Sequence, residues 1–231
     1  EEKQPFDPDQ FAIFEGTGFV RGVDLLIQIK NARFSLFNRS ATYDGWIGYT
    51  LSKSENTYPV FNDGKPFPAT NDHTHEFKIV NSLEWKVASW SSIDLGAVWM
   101  YSTGAPYTAP VEFFTLNQFS GPDNRTYVHV SDKNAYRLPE YHRLDISTAW
   151  KINIGNHFQS SLTLGLFNAY NRKNILERTY TVTTVNTYNY EFGYYDYNII
   201  PAYCRKTVIT KKDRKAMDVL PNAAFKVTAV F

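Results

Sequence analysis

Two histidines, His73 and His75, have the spacing best suited to metal chemistry in this chain of 231 residues. Side chains two positions apart lie on the same face of a β-strand, so both imidazoles could reach one cation. A zinc site needs more ligands than two, and the one cysteine, Cys204, does not complete a zinc-binding spacing. We therefore expect no metal and no cofactor, and ordinary polar residues at a junction between a loop and a strand.

Patterns typical of catalysis are missing from the sequence. It contains no Gly-x-Ser-x-Gly turn, no His-Glu-x-x-His motif and no phosphate-binding glycine loop. The formal net charge is only +1, which gives no basic excess for contacts to phosphate backbones. The sequence predicts neither an enzyme nor a nucleic-acid-binding protein.

Aromatic side chains are dense in two long connections that are rich in polar residues, residues 103–140 and 171–218. Exposed aromatic rings stack on sugars, haem or aryl groups and contact cations. The candidate substrate contacts are Phe113, Phe114, Tyr127, Tyr136, Tyr190, Tyr194 and Tyr195. Two structural alternatives stay open: a loop folded on its own aromatic core, or a β-hairpin that rises above the rest of the fold.

Segments of alternating apolar and polar residues recur along the chain and indicate the elements that carry these loops. Between Leu144 and Ile154, even positions are mostly apolar, whereas odd positions include Asp145 and Lys151. Alternation with period two is typical of a strand with two different faces. The same pattern occurs at 23–30, 46–52, 77–87, 93–101, 144–154, 161–167 and 223–231.

About seven such strands suit a wall with lipid on one side and water on the other. No apolar run approaches the eighteen or so residues that a membrane-spanning helix needs. Aromatic residues make up 16% of the chain, and many lie near strand ends, as in the girdles of outer-membrane barrels. We predict an all-β fold, an antiparallel transmembrane β-barrel portion. Its lumen face would carry Arg143, Asp145 and Lys151, which we interpret as a lumenal charge network.

Short and long connections alternate, which predicts an orientation. Outer-membrane barrels have short periplasmic turns and longer extracellular loops. The connections 88–91 and 153–157 are short, whereas 54–73, 103–140 and 171–218 are long. Residues 31–43 would form a longer periplasmic turn, although Phe34, Leu36 and Phe37 could extend a strand.

An odd number of crossings places the beginning of the chain outside the cell. Complete single-chain barrels of bacteria have an even number of strands, and residues 1–10 do not resemble a signal peptide. We therefore expect residues 1–231 to be the C-terminal part of a larger barrel. Phe231, which ends an alternating strand, resembles the assembly signal of outer-membrane proteins.

Two other classes remain as alternatives. A self-contained small outer-membrane barrel with a structural or adhesive role would need an eighth strand, at 11–17 or 175–184. A soluble carbohydrate-binding β-sandwich would also have alternating strands and aromatic loops, but it does not explain the alternation of short turns and long loops.

Several motifs resemble consecutive barrel strands of TonB-dependent outer-membrane receptors, and the Bacteroidota variants fit best. They are Gly16-Thr-Gly-Phe-Val-Arg-Gly-Val-Asp-Leu-Leu26, Gly45-Trp-Ile-Gly-Tyr-Thr-Leu-Ser52, Phe61-Asn-Asp-Gly-Lys-Pro-Phe-Pro68, Arg137-Leu-Pro-Glu-Tyr-His-Arg-Leu-Asp145 and Leu166-Phe-Asn-Ala-Tyr-Asn-Arg-Lys-Asn174. The resemblance implies a plugged barrel of about 22 strands in the bacterial outer membrane. It also implies active import of a siderophore, cobalamin, haem, glycan or peptide. The implied partners are outer-membrane lipid, the remaining strands and plug, the TonB complex acting through that plug, and a surface lipoprotein.

Overall fold

One antiparallel sheet of seven long strands dominates the computed structural model, which describes residues 15–116, 125–155, 158–186 and 205–229. Neighbouring strands of the wall pair with one another in an open order. No helix among the described residues is long and apolar enough to span a membrane. The wall strands, in spatial order, are β1 (Thr17–Leu36), β2 (Arg39–Thr57), β4 (His75–Ala88), β5 (Ser91–Ser102), β10 (Tyr141–Ile154), β11 (Phe158–Phe167) and β14 (Leu220–Ala229).

The remaining strands build the connections at one end of this wall. β3 extends the ladder along the end of β2, and three two-stranded ribbons pair β6 with β9, β7 with β8, and β12 with β13. One short 3₁₀ helix, Asn62–Gly64, lies before β3. The strands are β3 (Phe67–Pro68), β6 (Pro106–Tyr107), β7 (Pro110–Leu116), β8 (Arg125–Val130), β9 (Tyr136–Arg137), β12 (Ile175–Asn186) and β13 (Arg205–Lys215).

The register aligns apolar residues into rows across one face of the wall, which we call the apolar face. Residues directly opposite one another in an antiparallel ladder share a face. One row runs across five strands through Ile27, Ile47, Ile79, Trp99 and Leu144. Ile27 is 68% exposed, so this row is open to the surroundings. A continuous exposed apolar surface is typical of a membrane or protein contact.

Aromatic rows border the apolar face at both ends. Tyr49, Phe77 and Tyr101 are directly opposite one another near the long connections. Trp85 and Trp150 flank Ile93 near the short turns. Phe77 and Trp85 are eight positions apart on β4, or about 26 Å at ~3.3 Å per residue. This spacing matches a tilted strand that crosses a bilayer between two aromatic girdles.

A glycine on the apolar face allows a polar contact across it. The Tyr43 hydroxyl donates a hydrogen bond to Asn81 Oδ1 over 2.5 Å. A Cβ atom on Gly45 would lie 2.4 Å from the Tyr43 hydroxyl oxygen, so any side chain there would displace the ring. The tyrosine thereby satisfies an amide on a face that is otherwise apolar, where an unpaired polar group is costly in lipid.

The connection between the first two strands differs from the turn expected at 31–43. β1 continues to Leu36 and β2 begins at Arg39, so the turn is only Phe37 and Asn38. Both residues have positive φ, 49° and 59°, as a two-residue type I′ hairpin requires. The long-turn prediction was therefore wrong. The strand-extending alternative is confirmed for Phe34 and Leu36, but Phe37 lies in the turn itself. Phe at the first turn position does not resemble the usual Asn-Gly signal; its ring instead lies 5.9 Å from that of Trp85.

The prediction of an all-β antiparallel barrel portion is confirmed, and the sheet is open. Among the described residues, β1 and β14 each have one neighbour in the wall. β12 pairs with β13 in a separate ribbon and does not add an eighth strand to the wall. The residues 11–14 proposed as part of another strand lie outside the described ones.

Candidate functional site

The polar face of the wall, opposite the apolar face, carries two separate ion pairs. Arg143 lies 2.9 Å from Asp145 on the same strand, and the Arg143 guanidinium carbon lies 3.8 Å from the centre of the Phe167 ring. Lys151 pairs with Asp94 of the neighbouring strand instead. All three predicted charges therefore share a face, but they form two clusters about six positions apart.

Charges of opposite sign lie in adjacent rows around the second of these pairs. Glu84 and Asp94 are directly opposite one another. The next row towards the short turns contains Lys86 and Lys151, each opposite Ser92. Carboxylates facing each other repel, so the neighbouring lysines stabilise the acidic row. This face can bind a polar surface of mixed charge and excludes lipid tails.

At the other end of the wall, a buried ion pair joins two long connections. Asp72 is only 2% exposed, and its carboxylate pairs with Arg137 of β9. Its other oxygen accepts a hydrogen bond from the Ser54 amide over 2.6 Å. Arg137 Nη1 also donates to the carbonyls of Asp72 and Gly104, each over 3.2 Å. The pair thus ties residues 58–74 to residues 103–140, because Arg137 contacts both the carboxylate and the carbonyl of Asp72, while Asp72 also contacts β2.

Asparagines hold the same two connections together a few residues away. Asn134 is 4% exposed and donates to the Pro68 carbonyl over 2.7 Å. Asn62 accepts from the Lys133 amide over 2.6 Å and donates to its carbonyl over 3.2 Å. Buried amides with satisfied donors and acceptors confine a loop to one conformation. We call these contacts, with the Asp72–Arg137 pair, the loop lock.

A second group of asparagines closes the start of the third long connection. Asn168 is 1% exposed, and its backbone N–H donates a hydrogen bond to the Asp145 carboxylate. Its side-chain amide donates to the Arg172 and Met217 carbonyls. Asn174 is 2% exposed and exchanges two hydrogen bonds with the His142 backbone. Asp145 therefore has a positioning role beyond its pair with Arg143, which the sequence did not indicate.

An aromatic cluster lies between the second and third connections, formed by Tyr107, Tyr136, Tyr180 and Arg178. The Tyr107 ring lies 5.9 Å from Tyr136 and 6.5 Å from Tyr180. Arg178 donates a 2.9 Å hydrogen bond to the Tyr107 hydroxyl and a 2.7 Å bond to Asp213. Aromatic rings beside a fixed cation can hold a ring-shaped or electron-rich ligand.

Hydrogen bonding and burial shift the pKa values in this cluster. The hydrogen bond from Arg178, followed by the charges of Arg178 and nearby lysines, holds the pKa of Asp213 below its ordinary value. The bonds to Asp213 and Tyr107 raise the pKa of Arg178 above its ordinary value. Burial is the largest cause of the raised pKa of Tyr180. Arg178 therefore stays charged, and Tyr180 keeps its hydroxyl proton at neutral pH.

The predicted substrate aromatics fall into three groups. Tyr136 is 46% exposed and lies in the aromatic cluster. Phe113, Phe114 and Tyr127 lie on the β7–β8 ribbon, where Phe114 is directly opposite Tyr127. The remaining three, Tyr190, Tyr194 and Tyr195, lie outside the described residues, as does Phe231.

Three members of the aromatic cluster were missed from the sequence. Tyr107 follows a proline in a loop, and Tyr180 and Arg178 lie in a strand of β-branched residues. The available signal was Arg178 itself, because an isolated charge on a Thr-rich and Val-rich strand needs a partner.

The two histidines of the possible metal pair have other contacts. His73 Nδ1 lies 2.6 Å from the Thr103 carbonyl oxygen, and His75 Nδ1 lies 2.9 Å from the Tyr49 hydroxyl. Across the described part of the chain, no group of three or more His, Cys, Asp or Glu residues could hold a metal ion. The imidazoles instead connect the loop lock to the aromatic row of the wall.

Comparison with known families places most of these elements in one domain type. The sequence matches the family model described as "TonB dependent receptor-like, beta-barrel" over residues 4–171. The matched residues include β1 to β11 and both partners of the Asp72–Arg137 pair. No curated protein and no solved structure matches the chain.

Proposed function

The chain belongs to the TonB-dependent receptor-like β-barrel family, and we propose that it forms barrel wall and outer loops of a nutrient importer. Proteins of this family lie in the bacterial outer membrane and serve TonB-dependent transport. The observation that carries the proposal is the apolar face, with exposed rows across the strands and aromatic residues at both ends. A soluble β-sandwich would bury such a face against a second sheet.

We propose that residues 1–231 are the C-terminal part of a barrel of about 22 strands with a plug in its lumen. The open edges at β1 and β14 support this arrangement, because unpaired backbone groups are costly in lipid. Arg143, Asp145 and Lys151 would face the plug. A self-contained small barrel is less well supported, since β12 lies in a ribbon away from the wall.

The energy for import would reach this wall through other segments. A TonB complex would act on the plug, and a surface lipoprotein could cover the outer loops. These partners and an origin in Bacteroidota rest on the resemblance of the motifs. The loop lock supports a stationary rim, because its buried polar contacts oppose movement of the first two loops.

For the substrate, we propose contact at the aromatic cluster and along the aromatic β7–β8 ribbon. Tyr136 is exposed beside Tyr107, and Arg178 supplies a charge that is oriented by Asp213. Such a site fits a ligand with a flat or ring-shaped face, as the siderophore, cobalamin, haem and glycan classes have.

Nutrient-limited growth tests the transport function. The gene is deleted in the source bacterium, and growth is measured on a panel of single scarce iron, cobalamin, glycan and peptide sources. We expect growth to be lost on one source, and lost on the same source when the inner-membrane coupling complex is deleted. A defect that appears only in the receptor deletion would contradict energy-coupled import, and growth on every source would contradict import altogether.

Uptake by a Tyr136→Ala receptor then tests the substrate site. Loss of one stacking ring costs about 1 kcal/mol, so the concentration for half-maximal uptake should rise roughly fivefold. Tyr136→Phe keeps the ring and should retain wild-type uptake. The exposed loop residue Lys65, changed to Ala, is the control. Equal uptake by all three variants would place the substrate elsewhere.

Assembly should depend on the terminal residue of the sequence. We propose that Phe231 and the alternating residues before it are read during insertion. Phe231→Asp should therefore reduce the receptor in purified outer membranes, whereas Lys226→Ala should not. Wild-type levels of the Phe231→Asp receptor would refute the assembly signal.

A further inference from the structure

A half-open groove lies at the outer end of the first two wall strands. Its volume is about 540 Å³, and it is bounded by β1, β2 and the segment that leads into β4. Val23, Leu51 and Pro68 give it apolar walls. Its cations are Arg21, Lys53 and Arg137, and its carboxylates are Glu55 and Asp72. The groove is separate from the aromatic cluster and from the polar face.

Two of the cations are directly opposite one another. The register pairs Arg21 with Lys53, and the next pair on the same face is Val23 with Leu51. The pair after that is Leu25 with Tyr49, in the outer aromatic row. Like charges at directly opposed positions repel and destabilise a ladder. An anion bound between them would remove that cost.

The carboxylates of the groove are already engaged. Glu55 lies 2.8 Å from Lys53, and Asp72 accepts hydrogen bonds from Arg137 and the Ser54 amide. Arg21 has no carboxylate partner within the described ranges; its guanidinium carbon lies 5.8 Å from the centre of the Phe19 ring. The groove therefore has one more cation than carboxylates, and the unpaired cation among the described residues is Arg21.

The position of the groove identifies the source of the anion. Arg21 and Lys53 lie four positions beyond the aromatic row, which is about 13 Å along a strand. In a membrane-spanning barrel, this height is the headgroup region of the outer leaflet. The apolar rows begin directly below at Val23 and Leu51, so an acyl chain could follow them from the groove.

We propose that this groove binds the phosphate of a phosphorylated outer-leaflet lipid, with its acyl chains along the apolar face. Arg21 and Lys53 donate charge-assisted hydrogen bonds to the phosphate oxygens, the contacts that guanidinium and ammonium groups form best with phosphate. Val23 and Leu51 contact the first methylene groups. The inference rests on the proposed function, because it needs the wall to lie in a membrane.

The test uses the full receptor in detergent. Binding of a bis-phosphorylated, acylated disaccharide and of its dephosphorylated form is titrated by native mass spectrometry. We expect the wild-type receptor to prefer the phosphorylated form roughly tenfold, the effect of one charge-assisted hydrogen bond. The Arg21→Gln/Lys53→Gln receptor should lose this preference. The control Lys65→Gln/Lys212→Gln removes the same charge from exposed loop positions and should keep it.

Two measurements separate failure of this site from failure of the transport proposal. Membrane insertion and uptake should be unchanged in the Arg21→Gln/Lys53→Gln receptor. If it inserts and transports but keeps the phosphate preference, the lipid site is refuted and the transport proposal stands. Displacement of the lipid by millimolar inorganic phosphate would show a soluble-anion site and refute the lipid. If wild-type receptor is absent from the outer membrane, both proposals fail.

Discussion

The membrane wall and the outer loops of this protein are held together in different ways. The wall consists of long ladders whose side chains repeat one simple alternation, and its apolar residues remain exposed, as Ile27 and Leu164 do. The loops are short ribbons joined by a few individual polar contacts, and Asp72, Asn134, Asn168 and Asn174 are all nearly fully buried.

This difference determines how each region responds to substitution. In the wall, many equivalent residues form one face. Whether a side chain is apolar or charged therefore matters more there than the loss of any single contact. In the loops, each buried amide or carboxylate has a specific partner that no neighbour can replace. Substitutions that reverse polarity should therefore damage the wall, and substitutions that remove one contact should damage the loops.

The largest effect should follow a charge placed on the apolar face. Leu164→Arg or Ile146→Arg should lower the free energy of unfolding by about 2–4 kcal/mol near the bilayer midplane. Their neighbours on the other face, Thr163→Arg and Ser147→Arg, should cost less. Unfolding in urea after refolding into lipid bilayers measures the difference. Equal costs on both faces would contradict the two-faced wall.

Breaking the loop lock should come next and should act locally. Asp72→Ala removes the carboxylate that pairs with Arg137 and accepts from the Ser54 amide, at a cost of about 1.5–3 kcal/mol. Protease added to intact cells should then cleave residues 103–140 faster, while the wall stays resistant. The control is Asp63→Ala, since Asp63 is 91% exposed and its 3.7 Å contact with Lys65 should contribute little. If the Asp72→Ala receptor is cleaved no faster than wild type, the loop lock does not hold residues 103–140 in place.

The wall also contains a specific polar contact of the kind that holds the loops together, between Tyr43 and Asn81. Tyr43→Phe removes the hydrogen bond to Asn81 and should destabilise the receptor by about 1 kcal/mol. In the Tyr43→Phe/Asn81→Leu double variant, no polar group is left unpaired, so the stability should return. The same unfolding assay measures both. A double variant no more stable than Tyr43→Phe would show that the unpaired Asn81 amide is not the cause of the destabilisation.

The smallest effect should be the pH dependence of the β12–β13 ribbon. The pKa of Asp213 is lower in the folded protein than its ordinary value of 3.8, so its pairing stabilises the ribbon above that value. This contribution should persist on acidification to about pH 4 and be lost as the pH falls through the folded pKa. Amide hydrogen exchange of the ribbon between pH 5 and pH 2.5 measures it.

Asp213→Asn is the control for this titration, because it removes the titrating group. Its ribbon should exchange faster than wild type at pH 5 and show no further change attributable to this pair at lower pH. Identical pH profiles for the two proteins would rule out the Asp213–Arg178 pair as the cause.

The same contrast explains which predictions from the sequence held. The alternation at 144–154 indicates a strand, and β10 covers Tyr141–Ile154 because alternating polarity is a local property of the chain. The turn at Phe37 and Asn38 was missed, because Phe-Asn is not a usual pair for a type I′ turn and the contact of Phe37 with Trp85 joins residues far apart in the sequence. Tyr136 was chosen as a candidate, but its neighbours Tyr107 and Tyr180 were not, since three separate segments bring them together.

By itself, the sequence determined the all-β class, the number of wall strands, the apolar face and the division into short turns and long loops. These features follow from period-two patterns and local composition, which need no knowledge of distant residues. Only the tertiary structure decided that Lys151 pairs with Asp94, that Asp72 lies buried against Arg137, and that Arg21 faces Lys53. Those contacts depend on register and on how the loops fold over the strand ends, and both are set by the assembled sheet.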